Sequence, residues 1–415
     1  MNAKDSSILS GAMYLTLAAA TVAGGWAAVA TLLRGHIDLN TTQHVAWGLW
    51  VAVYIYFLGL SAGSFLLSTL VYGFGVKRLE RAGPIALVQA LVCLLLGGMM
   101  IILDLGHPLR GYKVLTSMNP TSVMAWMGVF YNAYIAVILA TLYFALRPAL
   151  VKAVLSRQEP AWLYRFLSLG DRDTSDEAIQ RDGRILKTLA FLGIPIALLV
   201  SGGVGVIFAV AKARPDWFGG LLPVVFIISA LASGGALLTA LVGLSPFRDQ
   251  EVKAKLMRDL AALSVGMLAF DALLLFCEML VTLYGGIPHE AIGWRLTLFG
   301  PFWWVFWFVQ VGIGLIVPVA IFLSPLSRSV KWLGTLGACI AVGFLGTRLN
   351  IVIPPQIQPT FDALPDAYFH ARNAYGYFPS MTEWLGALFA FAVGGWCAIA
   401  ANKYLPLHLE DRHER

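Results

Sequence analysis

The chain has 415 residues, of which 59% are hydrophobic and 13% charged, with a formal net charge of +6 and a mean hydropathy of +0.75. Soluble domains carry roughly 25% charged residues and need a larger polar surface, so a soluble globule is excluded and so is disorder. The bilayer is the solvent that suits this composition, and the basic excess then reports orientation rather than nucleic-acid binding.

A helical span needs about 20 apolar residues. Ten segments reach or approach that length: 10–33, 47–73, 83–103, 122–146, 188–211, 218–244, 260–284, 296–324, 332–349 and 381–401. The first run is longer than a signal-peptide core and shows no convincing cleavage site, so it reads as a span. An even number of spans puts both termini on one side. That side carries 21 of the 29 Lys and Arg residues, and the other side carries 8. The positive-inside rule makes the first side cytoplasmic. The expected product is an all-α, multi-pass membrane protein with both termini in the cytoplasm.

Taken in chain order, residues 1–46 supply a flanking helix and an outer loop, and His44 and Trp47 lead into the second span. That span contains LSAGSFLLSTLV at 60–71, and the sixth contains LASGGALLTALV at 231–242, with six of twelve positions identical at an offset of 171. Leu115-Thr116, Pro120 and Trp126 recur as Leu296-Thr297, Pro301 and Trp307 at an offset of 181. Both matches join spans four apart, so direction is preserved. We expect two parallel-repeat four-helix bundles, 47–211 and 212–349, related by an axis along the membrane normal. Gly63 and Gly234-Gly235 would let backbones approach closely. An outer loop at 350–380 and a last helix with a cytoplasmic tail at 381–415 complete the plan.

At the outer end of the third span, Asp104, His107 and Arg110 place an acid, a titratable base and a fixed cation together. Asn119-Pro120-Thr121-Ser122 then starts the fourth span, with Trp126 in its first turn. The 147–187 connection is charged and mixed in sign, as a solvated loop would be. Asp271 and Glu278, seven residues apart in the seventh span, share a helix face, and intramembrane carboxylates usually line cavities, pair or carry protons. Arg348 and Asn350 leave the ninth span and Glu383 enters the tenth, all on the outer side. The 350–380 loop is rich in Pro and aromatic residues, as a lid or docking surface would be.

None of the seven histidines lies in mid-span, and the four cysteines (Cys93, Cys277, Cys339 and Cys397) form no CxxC pair. No axial haem pair, haem attachment motif, iron–sulfur ligand set, metal site or nucleotide-binding glycine motif is encoded.

The runs WGLWVAVYIYFLGLSAGSFLLS, LDLGHPLR and NPTSVMAW resemble the NrfD/PsrC family, the membrane subunits of polysulfide reductase-type complexes. The ten-span plan and YFPSMTEW at 377–384 are similar to its longer members. Those include the membrane subunits of the Qrc and Dsr complexes, of hydrogenase-2 and of alternative complex III. The resemblance implies a quinone, commonly menaquinone, bound near the periplasmic face as substrate, with no haem or cluster in this chain. It implies a periplasmic iron–sulfur partner, itself joined to a molybdopterin-type subunit or a multihaem cytochrome c. Many members carry Arg or Lys where this chain has His107, which leaves the charge there dependent on pH.

On that basis Asp104, His107 and Glu278 are expected to exchange protons with the head group. His44, Arg110, Asn119, Ser122, Trp126 and Arg348 are expected to bind or position it. Asp271, Ser233, Thr239 and Gln310 are expected to begin a proton path toward the cytoplasm. The competing expectation is a secondary transporter with Asp271 and Glu278 as coupling-ion sites.

Overall fold

The structure, a computed structural model, describes residues 3–407 apart from 158, 248, 287, 360–369, 371 and 372. The middle of the 350–380 loop and the tail beyond 407 therefore lie outside the described residues. The chain is all-helical and has ten helices long and apolar enough to cross a membrane, as expected. The first seven are α1 (Ala3–Arg34), α2 (Leu49–Tyr72), α3 (Gly83–Asp104), α4 (Val123–Leu155), α5 (Asp176–Ala209), α6 (Leu222–Leu244) and α7 (Gln250–Gly285). A short helix, α8 (Pro288–Phe299), then precedes α9 (Val305–Leu323), α10 (Val330–Val352) and α11 (Met381–Tyr404). We call the side where α1 begins and α11 ends the terminal face, and the opposite side the far face.

Local chemistry sets these boundaries. Ser122 and Ser175 cap α4 and α5 by accepting from Ala125 N and Ala178 N, and Asp249 caps α7. Ser380 and Glu383 form a reciprocal capping box on α11. Gly286, at φ 65°, ends α7 in the left-handed region that a side chain resists. The segment expected as one span at 296–324 is two pieces, because Pro301 has no N–H to continue α8. The first 12 residues of α9, Val305–Ile316, form a π-helix, an uncommon winding over such a length.

The expected solvated loop at 147–187 is partly helical, and its first residue is buried. Arg147 pairs with Asp182 at 2.5 Å and Asp171 at 2.7 Å. Hydrogen bonding to the Asp173 and Arg147 groups holds the Asp171 carboxyl below its ordinary range. Mixed charge here folds the connection onto itself instead of leaving it in water.

The most apolar stretch of α2 is 94% buried, against 22% for that of α1, so α2 stands at the centre and α1 at the edge. α2 packs on α3, α5, α6 and α10; α6 packs on α5, α7 and α10; α1 packs on α11. A Cβ on Gly63 would overlap the Ala230 carbonyl oxygen, and one on Gly234 would lie 2.6 Å from Ser64 N. Backbone therefore meets backbone where α2 crosses α6. In lipid this packing replaces the hydrophobic force, since acyl chains are as apolar as leucine. Gln89 of α3 spans the crossing, donating to Ser64 Oγ at 2.6 Å and Gly234 O at 3.0 Å.

Candidate functional site: a lipid-facing cavity with a polar end

α6, α7, α8, α9 and α10 surround a cavity near the far face. Its polar end is lined by Asp216, Asp271, Glu278, Thr297, Gln310 and Asn350 and holds about 670 Å³, mouth included. It continues into an apolar slot of about 660 Å³ between α7, α9 and α10, lined by Leu268, Phe276, Met279, Val311, Leu315 and Phe344 among others. Asp271, Leu275, Trp294, Phe306, Gln310 and Thr347 line both, so the two spaces adjoin. The slot's neighbours Leu273, Phe276, Leu280 and Phe308 are exposed on the protein's side, where lipid lies.

The π-helix shapes this slot. Gly314 of α9 and Gly343 of α10 are so close that a Cβ on either would overlap the other's Cα. That contact brings α9 against α10, and Gln310, inside the π segment, lines both parts of the cavity. Gln310 Oε1 accepts from Asn350 Nδ2 at 2.7 Å. Three lining oxygens are buried and accept no hydrogen bond: Asp271 Oδ1, Asn350 Oδ1 and Asp216 Oδ2. An unsatisfied buried acceptor costs about 1–3 kcal/mol, so these oxygens are set for a donor.

Arg348 stands behind the cavity, 1% exposed. It donates to Ser229 Oγ, lies 4.2 Å over the Phe226 ring and interacts electrostatically with Asp271. Its electrostatic partner is thus Asp271. Asp271 lies two turns, about 10 Å, deeper along α7 than Glu278. At the outer mouth, burial and the Glu290 and Glu278 carboxylates push Asp216 up to about 7, against the pull of Arg214.

Of the residues singled out from sequence, the structure brings Asp271, Glu278 and Gln310 to this cavity, with Arg348 at its back. The hydroxyls of Ser233 and Thr239 on α6 bond to carbonyls of their own helix. The others lie elsewhere on the far face. Asp104 interacts electrostatically with Glu383 and Tyr377. Glu383 is buried, accepts from Tyr377 Oη, Asn40 N and Ser380 N, and thereby ties α11 to the entrance of α2. Burial, then Glu383, raise the Tyr377 phenol above its ordinary range. His107, Arg110 and Asn119 are at the surface. Asn119 accepts from Thr121, Ser122 caps α4, and Trp126 donates to Pro120 O at 2.9 Å, so these three shape the start of α4. His44 stacks on Tyr375 with ring centroids 4.0 Å apart.

Asp216 and Trp294 belong to the cavity and are not among the residues the sequence marks out, and Thr297, marked only as part of the repeat, lines it too. Asp216 lies in a short loop whose composition gives no periodic signal. Its neighbours Arg214 and Trp217 carry a readable cue: a cation and an indole beside an acid, between two spans. Among the described residues, no group of three or more His, Cys, Asp or Glu is arranged to hold a metal.

Comparison with known proteins adds an independent line. The family model described as "Polysulphide reductase, NrfD" matches residues 38–360. A selenate reductase subunit of Mesobacillus selenatarsenatis is 37% identical over 350 residues, covering 83% of this chain and 82% of that protein. The Hdr-like menaquinol oxidoreductase integral membrane subunit of Archaeoglobus fulgidus is 28% identical, covering 92% of this chain and 89% of its own. A putative dimethyl sulfoxide reductase membrane subunit of Halobacterium salinarum is also 28% identical, covering 92% and 88%.

Proposed function

The chain belongs to the NrfD polysulphide reductase family of membrane subunits, and from that premise we propose that it oxidises menaquinol in the cavity between α7, α9 and α10. One observation carries the assignment. A polar pocket with unsatisfied buried acceptors opens into an apolar slot that reaches lipid. A quinol has that shape, with two hydroxyl donors on a ring and an isoprenoid tail. Asp271 Oδ1 and Asn350 Oδ1 suit the two hydroxyls, and the Phe276, Leu315 and Phe344 walls suit the tail. The similar proteins named above are subunits of reductases, and one is a menaquinol oxidoreductase, which supports oxidation of the quinol as the direction.

The reaction balances as two O–H bonds broken, two protons released and two electrons removed. Asp271 takes one proton and Glu278, higher on the same helix face, takes the other. Arg348 steadies the charge of Asp271 electrostatically. The electrons leave singly to an iron–sulfur or haem centre on a periplasmic partner subunit, which joins a molybdopterin-type or multihaem subunit. The chain then sits in the inner membrane with its termini in the cytoplasm and its far face in the periplasm. Asp104, His107, Arg110 and the Asn119–Trp126 stretch lie on that same face, where they would meet the partner.

The test uses the complex purified with its own partner subunits. Leu275 lines both parts of the cavity, so Leu275→Trp fills the junction. The variant is expected to assemble and to lose bound menaquinone and quinol turnover together. Full quinone content and turnover would move the site elsewhere.

A further inference from the structure

Asp216 sits on the α5–α6 connection, between the cavity and the aqueous far face. We propose that Asp216 passes protons from the cavity to that face, receiving them from Glu278 and delivering them to Glu290, and that Gly293 is the seat that holds it there. The proposal rests on the quinol assignment above and extends it to the exit route.

Four observations converge. Asp216 lines the polar end of the cavity, and its Oδ2 is buried and accepts no hydrogen bond. Its carboxylate lies flat on α8: a Cβ on Gly293 would overlap Cγ and both oxygens. Only glycine leaves that room. The loop is fastened on both sides of it. Arg214 donates to Pro355 O at 3.1 Å, Gln358 O at 2.8 Å and His44 O at 3.1 Å, while Trp217 donates to Ile351 O at 2.7 Å. The backbone is thus rigid while the carboxylate oxygen facing the cavity stays unbonded.

The charged groups facing Asp216 are Glu278 from α7, Glu290 from α8 and Arg214 of its own loop, with Tyr375 beside Arg214. Glu278 and Glu290 also repel each other. Three carboxylates in mutual repulsion do not hold three charges readily, so a proton entering the group is retained until it can move outward. Asp271 is not in this group; its electrostatic partner is Arg348. The quinol ring fills the interval between the deep acid and the outer three.

Asp216→Asn, Asp216→Glu and Gly293→Ala are made in the complex purified with its partners. Bound menaquinone is extracted and counted, and oxidation of a water-soluble menaquinol analogue is followed against pH. In the wild type, activity should rise with pH through the region near neutrality as Asp216 deprotonates. Asp216→Asn should keep its menaquinone, lose that rise and slow roughly a hundredfold. Asp216→Glu should restore the rise. Gly293→Ala, which displaces the carboxylate without removing it, should shift the rise. An infrared pH titration of the protonated carboxyl band, read without turnover, should lose one carboxyl in Asp216→Asn. An unmoved pH profile in Asp216→Asn with menaquinone retained would overturn the relay, and so would loss of menaquinone from that variant. A wild-type complex without bound quinone would instead sink the quinol assignment itself.

Discussion

At the residue scale the balance of charge in a membrane decides what each acid can do. Arg348 lies one turn from the end of α10 yet is only 1% exposed, so its charge does not reach water and must be offset locally. Ser229, the Phe226 ring and Asp271 supply that offset. Arg348→Met leaves Asp271 without its counter-charge and should lower the thermal midpoint sharply. Arg348→Met combined with Asp271→Asn should be milder than the single arginine variant, because removing both charges removes the uncompensated one. Equal midpoints for the single and double variants would show that the two residues do not interact.

Asp216 makes a second residue-scale prediction. Its pKa is raised from 3.8 to about 7, so the folded state holds the proton more tightly than the unfolded state. Its contribution to stability is present at low pH and is lost as pH rises from about 4 through 7. Thermal midpoints measured across that window should fall with pH in the wild type and fall less in Asp216→Asn. Parallel curves would contradict the raised value.

The deep acids are legible in the sequence because a carboxylate inside an apolar run is conspicuous. Asp216 is not, because a loop acid among Lys212, Arg214 and Pro215 looks like ordinary solvated chain. Its burial comes from α8 folding over it, which is a tertiary fact. Asp104 and His107 are conspicuous as an acid and a titratable base clustered where α3 ends, yet they lie on a different part of the far face.

At the scale of elements, hydropathy places all ten spans, because lipid demands a continuous apolar run with every backbone group bonded within it. It does not place the break at Pro301 or the π winding of Val305–Ile316. The apolar count is blind to both: the break comes from one missing N–H, and the π segment, which carries the close Gly314–Gly343 contact, leaves no mark in hydropathy. The α2–α6 crossing is announced by Gly63 and Gly234. Gly63→Val should force the two backbones apart at a cost of about 1–3 kcal/mol or more. The expected result is a lower thermal midpoint and less monodisperse protein in detergent chromatography. A wild-type midpoint would show that the crossing is more yielding than its geometry implies. Gly11, which has open space around it, is the control and should tolerate the same change.

At the scale of the whole molecule, the arrangement separates tasks. α2, α6 and α10 form a buried frame, α1 and α11 pack together at its edge, and α7 and α9 leave a gap that faces lipid. A substrate arriving laterally from the bilayer meets the apolar slot first and the acids last. The proposed exit through Asp216 carries a prediction about orientation: the far face is expected to be periplasmic and the termini cytoplasmic. A fluorescent-protein fusion at the C-terminus, which folds only in the cytoplasm, should be bright, and a periplasmic alkaline phosphatase fusion there should be inactive.

The most direct measurement is a density map of the complex, prepared with its partner subunits and a menaquinol analogue. The ring is expected between Asp271 and Asn350, with its tail leaving past Leu275 through the slot between α7 and α9. Density for the ring beside Asp104 and His107 instead, with the α7–α9 cavity empty, would contradict the account.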